Sequence, residues 1–148
     1  MATTTATLTL NSPDITGHNF TMTQTATLSK AGNSSGLDEF TGITSRIYSA
    51  AQTDTVVVAD ADYASGAVAH KVYIRNTSTG TSDYILVELE GNIIIGRLYP
   101  GDFMFIPWSQ TDTAASIEVA ATSWTSSTGD IPVEYALFHE DTDYLTNA

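Results

Sequence analysis

The chain has 148 residues, with five Lys and Arg against 17 Asp and Glu, a formal net charge of −12 and no cysteine. A surface so poor in cations repels phosphate backbones, so direct binding to nucleic acid is not expected. Without cysteine there are no disulfides or thiolate metal sites, and a chain of this length forms one domain whose core requires neither.

Hydroxyl-bearing residues dominate the composition. There are 24 Thr and 14 Ser, about a quarter of the chain. Thr is β-branched and suits the polar face of a sheet, whereas Ser favours turns. Good helix formers are sparse, and no apolar stripe at helical spacing continues for the length of a helix. The composition therefore predicts an all-β protein.

The N-terminal segment, residues 1–30, is predicted to be an extended arm that carries short strands. Residues 5–10 and 20–28 alternate apolar and hydroxyl side chains, the period-2 pattern of a strand. Pro13, Asp14 and Gly17 are expected to end the first of these strands before the second begins. The sequence AGNSSG, residues 31–36, is the most loop-like in the chain and is predicted to follow the end of the arm. Residues 31–148 are then predicted to form the β-domain, and the protein as a whole is a single domain.

The passage from Tyr84 to Trp108 predicts a three-stranded antiparallel meander. Gly91 and Asn92 lie between two apolar runs, as in a two-residue hairpin loop. Tyr99–Asp102 has Pro and Gly at the central positions of a type II turn, and Pro107 is expected to end the third strand. Strands are predicted at residues 85–90, 93–98 and 103–106.

Further strands are predicted before and after the meander. They cover residues 43–48, 55–59, 71–75, 117–121 and 133–137, and residues 139–148 form an acidic, peripheral tail. About ten short strands with turn signals between them are typical of an antiparallel β-sandwich or a jelly roll.

Candidate catalytic and metal-binding residues are few. Glu88 and Glu90 share one face of a strand, as a glycosidase carboxylate pair would, but they are more simply the solvent face of a sheet. No nucleophile elbow, zinc-protease motif or phosphate-binding glycine loop is present, so we expect neither an enzyme nor a cofactor. The histidines, His18, His70 and His139, are scattered, and Asp60 with Asp62 forms only part of a calcium loop.

A cluster of aromatic residues suggests a different kind of site, a platform on which carbohydrate rings stack. Tyr99, Phe103, Phe105, Trp108 and Trp124 contribute to it. Phe103 and Phe105 fall on one strand face and are expected in the core. Trp108 and Trp124 border loops. Because Trp is enriched among the residues that contribute most to protein interfaces, they are alternatively anchors for a protein contact.

Three passages resemble small structural proteins of tailed bacteriophages: MATTTATLTL at the start, KVYIRNTS, and IGRLYPGDFMFIPWS. The resemblance is clearest from Ile43 to Phe138. It implies a non-enzymatic virion structural protein, within that class a head decoration or cement protein that binds and stabilises the outer capsid surface. A tail or neck component and a carbohydrate-binding β-sandwich module are the alternatives.

The resemblance also implies the partners, which are the major capsid protein or other virion proteins and further copies of the chain in a homo-oligomer. The Thr-rich arm is a candidate for strand addition to a neighbour. We find no apolar run of bilayer length and no secretory signal, so we expect no membrane contact and no export by a secretory signal. The resemblance implies synthesis in the host cytoplasm and, with the acidic, hydroxyl-rich composition, a place on the capsid exterior. The predicted interface residues are Thr5, Thr7, Leu8, Leu10, Phe20, Trp108 and Trp124.

Overall fold

The computed structural model describes residues 4–15, 17–28, 37, 39–49, 55–58, 70–80, 83–89, 93–108, 117–120 and 130–139. Over these ranges the chain forms strands and turns and no helix, which confirms the all-β prediction. The strands are β1 (Thr4–Ile15), β2 (His18–Leu28), β3 (Glu39–Phe40), β4 (Thr44–Ser49), β5 (Thr55–Val58), β6 (His70–Asn76), β7 (Ile85–Leu89), β8 (Ile93–Leu98), β9 (Phe103–Trp108), β10 (Ile117–Ala120) and β11 (Asp130–His139).

The strands form three antiparallel sheets. Among the described strands, β1 and β2 pair only with each other, as a long hairpin. A four-stranded sheet has the order β5-β10-β7-β8, and a five-stranded sheet has β3 and β4 on one side of β11, followed by β6 and β9. We call β1 and β2 the N-terminal hairpin. Its role as an arm stays a prediction, as does the jelly-roll topology.

The four- and five-stranded sheets share one hydrophobic core, the arrangement of a β-sandwich. Alternate residues of the central strands β6 and β7 point into this core, as the period-2 pattern requires. The buried cluster consists of Tyr48, Val72, Ile74, Ile85, Val87, Leu98, Trp108, Ile117, Ile131, Val133 and Leu137.

The predicted meander is wrong at its third strand. β7 and β8 pair antiparallel as predicted, although residues 90–92 of the loop lie outside the described residues. The turn at Tyr99–Asp102 is also present, with the Asp102 N–H donating to the Tyr99 carbonyl over 2.9 Å and a φ of 87° at Gly101. However, β9 then pairs with β6, so this turn connects the two sheets of the sandwich.

Asn76, at the end of β6, explains this change of sheet. Its carbonyl accepts the Gly101 N–H over 2.9 Å, and its own N–H donates to the Asp102 carbonyl over 3.0 Å. The buried Asn76 side chain donates to the Leu98 carbonyl over 3.0 Å. The turn is therefore held at the end of β6, and β9 leaves it alongside β6.

Two prolines do not end their strands as predicted. β1 continues through Pro13 because the register shifts between Ser12 and Ile15, leaving Pro13 and Asp14 without partners in the ladder. Pro107 lies inside β9, opposite Lys71. Since β9 is an edge strand of its sheet, it tolerates a residue without an N–H.

Candidate assembly surface

The N-terminal hairpin has two chemically different faces. Directly paired residues of an antiparallel ladder place their side chains on the same side. The pairs Thr7 with Thr25 and Thr9 with Thr23 make one face hydroxyl-rich. The other face is mainly apolar and carries Ala6, Leu8, Leu10, Phe20, Met22 and Ala26.

The hydroxyl face is tied together by its own side chains. The hydroxyls of Thr7 and Thr25 lie 2.9 Å apart, and the Thr21 hydroxyl donates to the Asn11 side chain over 3.2 Å. These exposed bonds add to the backbone pairing of β1 with β2. At these positions the side chains of the hydroxyl face are hydrogen-bonded within the chain.

The apolar face is not covered in the same way. Leu8 and Leu10 are each 43% exposed, and Phe20 and Met22 are exposed to a similar extent. Only at its base is the hairpin buried, where Leu28 and Leu37 are covered and the Leu37 N–H donates to the Leu28 carbonyl over 3.0 Å. A two-stranded hairpin alone is marginally stable in water, so this face requires a contact to order it.

The outer face of the five-stranded sheet carries aromatic side chains, which we call the aromatic face. Phe40 and Phe138 stack with ring centroids 4.7 Å apart, and Phe105 meets Phe138 edge to face at 5.9 Å. Tyr73 and Phe103 are 6.3 Å apart. Phe103 is 58% exposed, so the expectation that Phe103 and Phe105 lie in the core is wrong for Phe103, while Phe105 is half-buried on the same face.

The reason for this correction is the register of β9. Its neighbours in sequence, Met104 and Ile106, pack against the core, which leaves Phe103 and Phe105 on the opposite side. All four residues are apolar, and alternation alone does not choose between the two faces. Sequence reasoning therefore missed the aromatic face, because it did not show which side of β9 faces the other sheet.

An open cavity of about 770 Å³ separates the hairpin from the aromatic face. On one side it is lined by the base half of the hairpin, including Leu8 and Leu10, and on the other by Tyr73, Phe103 and Phe105. A second pocket of about 220 Å³ shares Tyr73 and Phe105 with it. The remaining described lining of the second pocket comes from Phe40, Ile43, Ala136 and Phe138, with no residue of the hairpin.

Charge is distributed unevenly between the hairpin and the rest of the chain. Asp14 is the only Asp, Glu, Lys or Arg between Thr4 and Leu28, although the whole chain carries −12. The hairpin is therefore nearly neutral, and its contacts depend on apolar area rather than on charge pairing.

The predicted interface residues are distributed over several sites. Thr5 and Thr7 lie on the hydroxyl face, and Leu8, Leu10 and Phe20 lie on the apolar face of the same hairpin. Trp108 is only 5% exposed and belongs to the core, so it is not accessible to a partner. It lies on the side of β9 that also carries Met104 and Ile106 and faces the other sheet. Trp124 lies outside the described residues.

Two of the described residues predicted to form a carbohydrate platform, Phe103 and Phe105, share the aromatic face and line the same cavity. Tyr99 instead contacts Tyr84, with ring centroids 5.5 Å apart. Arg97 lies over the Tyr84 ring at 4.9 Å, which is a cation–π contact. Because Trp108 is buried, the predicted platform is not formed as a whole by its described members.

The carboxylate pair is also placed differently from the prediction. Glu88 is only 4% exposed, so it does not lie on a solvent face. Both sides of β7 are covered: Leu86 and Glu88 on one side are buried, and so are Ile85 and Val87 on the other. Its Oε2 has no hydrogen-bond partner. Glu90, Asp60 and Asp62 lie outside the described residues.

Two further findings concern the described part of the chain only. No group of three or more His, Cys, Asp or Glu residues there is arranged to hold a metal ion. No helix there has the length and apolar character to cross a bilayer.

Comparison of the chain with protein-family models, with curated proteins and with solved structures finds no match. The fold and the surfaces described above therefore supply the arguments for function.

Proposed function

We propose that this protein is a non-enzymatic virion structural protein of a tailed bacteriophage, a head decoration protein that binds the outer capsid surface and stabilises it. The observation that carries the proposal is the N-terminal hairpin, whose apolar face is left exposed by its own sandwich. An amphipathic ribbon with an exposed apolar face is suited to a protein contact.

The composition supports a place outside the capsid. A chain with a net charge of −12 is repelled by packaged nucleic acid, whereas its many neutral hydroxyls suit a surface facing water. The nearly neutral hairpin gives such a protein one region that approaches another acidic protein without electrostatic repulsion.

The hairpin also offers two kinds of contact within the shell. Its apolar face packs on an apolar surface, and its exposed edges add a strand to a neighbouring sheet. Both mechanisms distribute load over many backbone and side-chain contacts, which is what reinforcement of a shell under internal pressure requires.

The test is to localise the protein on purified phage particles by cryo-electron microscopy. Density for the sandwich on the outer head surface, with the hairpin against a capsid subunit, is the expected result. Density on the tail or neck would replace the proposal with its closest alternative, and absence from the particle would reject a virion role.

A binding assay then tests the contribution of the hairpin. Heads stripped of the protein are mixed with the wild-type chain, with Met22→Asp on the apolar face, or with Thr23→Asp on the hydroxyl face as the matched control. We expect at least about a tenfold loss of head binding for Met22→Asp and a smaller loss for Thr23→Asp, because an interface core excludes charge. Equal binding of all three proteins would rule out the apolar face as the contact.

A further inference from the structure

We propose that the apolar face at the tip of the N-terminal hairpin docks against the aromatic face of a second copy of this chain, with Phe20 entering the pocket beside Phe40 and Phe138. This inference deepens the proposed function and rests on the hairpin being an assembly element. It assigns the apolar tip to a neighbouring copy on the head and leaves the exposed edges of the hairpin for strand addition to a capsid subunit.

The first argument is that one chain does not bring these two surfaces together. The hairpin lines the cavity against its own aromatic face only with its base half, up to Leu10 on β1 and Gln24 on β2. Beyond these residues, Ile15, Phe20 and Met22 are exposed. At the other end of the aromatic face, the pocket at Phe40 and Phe138 has no hairpin residue in its described lining.

The second argument is size. The pocket has a volume of about 220 Å³, whereas an apolar cavity of ~150 Å³ holds a benzene ring. One phenylalanine ring therefore fits. Phe20 is the only aromatic residue of the hairpin and lies on its apolar face, so it is the side chain suited to anchor the contact.

The third argument is exposed apolar surface on both sides of the proposed contact. At the tip of the hairpin Phe20 and Met22 are 42% and 38% exposed. Beside the pocket Phe40 and Ile43 are 50% and 64% exposed. Burial of such side chains is the main favourable contribution to protein association, so docking of one copy on another would cover both sets.

The fourth argument is charge. Two copies at −12 each repel one another over most of their surfaces, so they associate only where acidic residues are few. The hairpin, with Asp14 alone, is such a region. A basic partner would instead be drawn to the acidic remainder of the chain, which favours a second copy as the occupant of this apolar pocket.

Self-association of the full chain is the first test, by light scattering over a range of concentrations. We expect a concentration-dependent oligomer, weakened at least about tenfold by Phe20→Ala or Phe40→Ala and unchanged by Ile94→Ala, an exposed residue on the other sheet. Added sodium chloride should strengthen it, because salt screens the repulsion between copies. A chain that stays monomeric at ~100 μM, or an oligomer insensitive to both Phe substitutions, would overturn the proposal.

Crosslinking between chains is the second test, and the absence of cysteine makes it specific. Ser12→Cys and Ile43→Cys are prepared as separate proteins, mixed and oxidised, so that only an intermolecular disulfide joins them. Ser12 is paired with Phe20 on the same face, so this variant keeps the Phe20 ring. We expect a covalent heterodimer from this pair and little from Thr21→Cys with Ile43→Cys, since Thr21 is on the opposite face. If the disulfide forms only in a chain carrying both Ser12→Cys and Ile43→Cys, the hairpin closes on its own sheet and the inference is wrong.

Failure of the inference and failure of the proposed function are distinguishable. A monomeric protein that still localises to the outer head surface would refute the second-copy contact and leave the virion role intact. An oligomer with the expected crosslink that is absent from particles would refute the virion role and leave the second-copy contact intact.

Discussion

The N-terminal hairpin and the sandwich are built from the same period-2 alternation, but they use it differently. In β6, Val72 and Ile74 alternate with polar or aromatic residues and are fully buried in the core. In β1, Leu8 and Leu10 alternate with threonines in the same way and remain exposed. The difference shows that alternation specifies which side chains share a face, whereas burial depends on a second sheet lying opposite that face.

The largest expected effect comes from truncating an apolar residue in each region. Ile74→Ala should lower the free energy of unfolding by about 2–5 kcal/mol, because it leaves a cavity in a close-packed core. Leu10→Ala should lower it by less than about 0.5 kcal/mol in the monomer, since Leu10 is exposed. Chemical denaturation of both variants checks this, and similar losses would mean that the hairpin is packed as tightly as the core.

A second contrast concerns polar residues in the two regions. Asn76→Ala removes the donor to the Leu98 carbonyl and the acceptor for the Ser78 N–H, which lie 3.0 and 2.9 Å from the Asn76 side chain. Because Asn76 is fully buried, we expect a loss of about 2–3 kcal/mol.

Asn11→Ala in the hairpin is the matched control for Asn76→Ala. It also removes a hydrogen bond, but an exposed one that water replaces, so a loss below about 0.5 kcal/mol is expected from the same denaturation series. Equal losses at the two sites would mean that the Asn76 side chain does not help its backbone to hold the turn between the sheets.

The stability of the sandwich, but not that of the hairpin, should depend on the ionisation of a buried tyrosine at alkaline pH. Burial raises the pKa of Tyr48 from 10.0 to about 12, an effect that the nearby Arg46 charge partly opposes. The unfolded chain therefore loses this proton first as pH rises, so the contribution of Tyr48 is complete below pH 10.0 and is lost through about pH 12.

The slope of this loss is at most about 1.4 kcal/mol per pH unit. The melting temperature of the wild-type protein should accordingly fall more steeply over that range than that of Tyr48→Phe. The hairpin contains no Tyr, Lys or Arg between Thr4 and Leu28, so the effect belongs to the sandwich. Identical profiles for the two proteins would refute this role of Tyr48.

The smallest effect is expected on the hydroxyl face of the hairpin. Thr7→Val removes the 2.9 Å contact with Thr25 but keeps a β-branched side chain suited to a strand. The change in stability should stay within about 0.5 kcal/mol, with the Thr7–Thr25 register preserved in cross-strand nuclear Overhauser effects. A shift in register would show that the hydroxyl ladder itself aligns the strands.

Sequence reasoning predicted most of the strands and their reversals, because local side-chain pattern and turn chemistry determine them. The hairpin of β7 and β8 and the turn at Tyr99–Asp102 are examples. It did not predict that β9 pairs with β6, since the hydrogen bonds from Asn76 that direct it come from a residue more than twenty positions earlier in the chain.

The candidate assembly surface was predicted in part. Leu8, Leu10 and Phe20 were identified from their alternation with threonine, and they do share one face. Trp108 was misplaced and Phe103 was assigned to the core, because β9 is apolar on both sides and its sequence does not say which side faces the other sheet.

The amino-acid sequence by itself determined the strand class, the acidic surface and the neutral, amphipathic hairpin, because composition and period-2 alternation are local properties. Only the tertiary structure decided which apolar faces are buried. That choice depends on how distant strands pair and stack, and it left the hairpin and the aromatic face exposed.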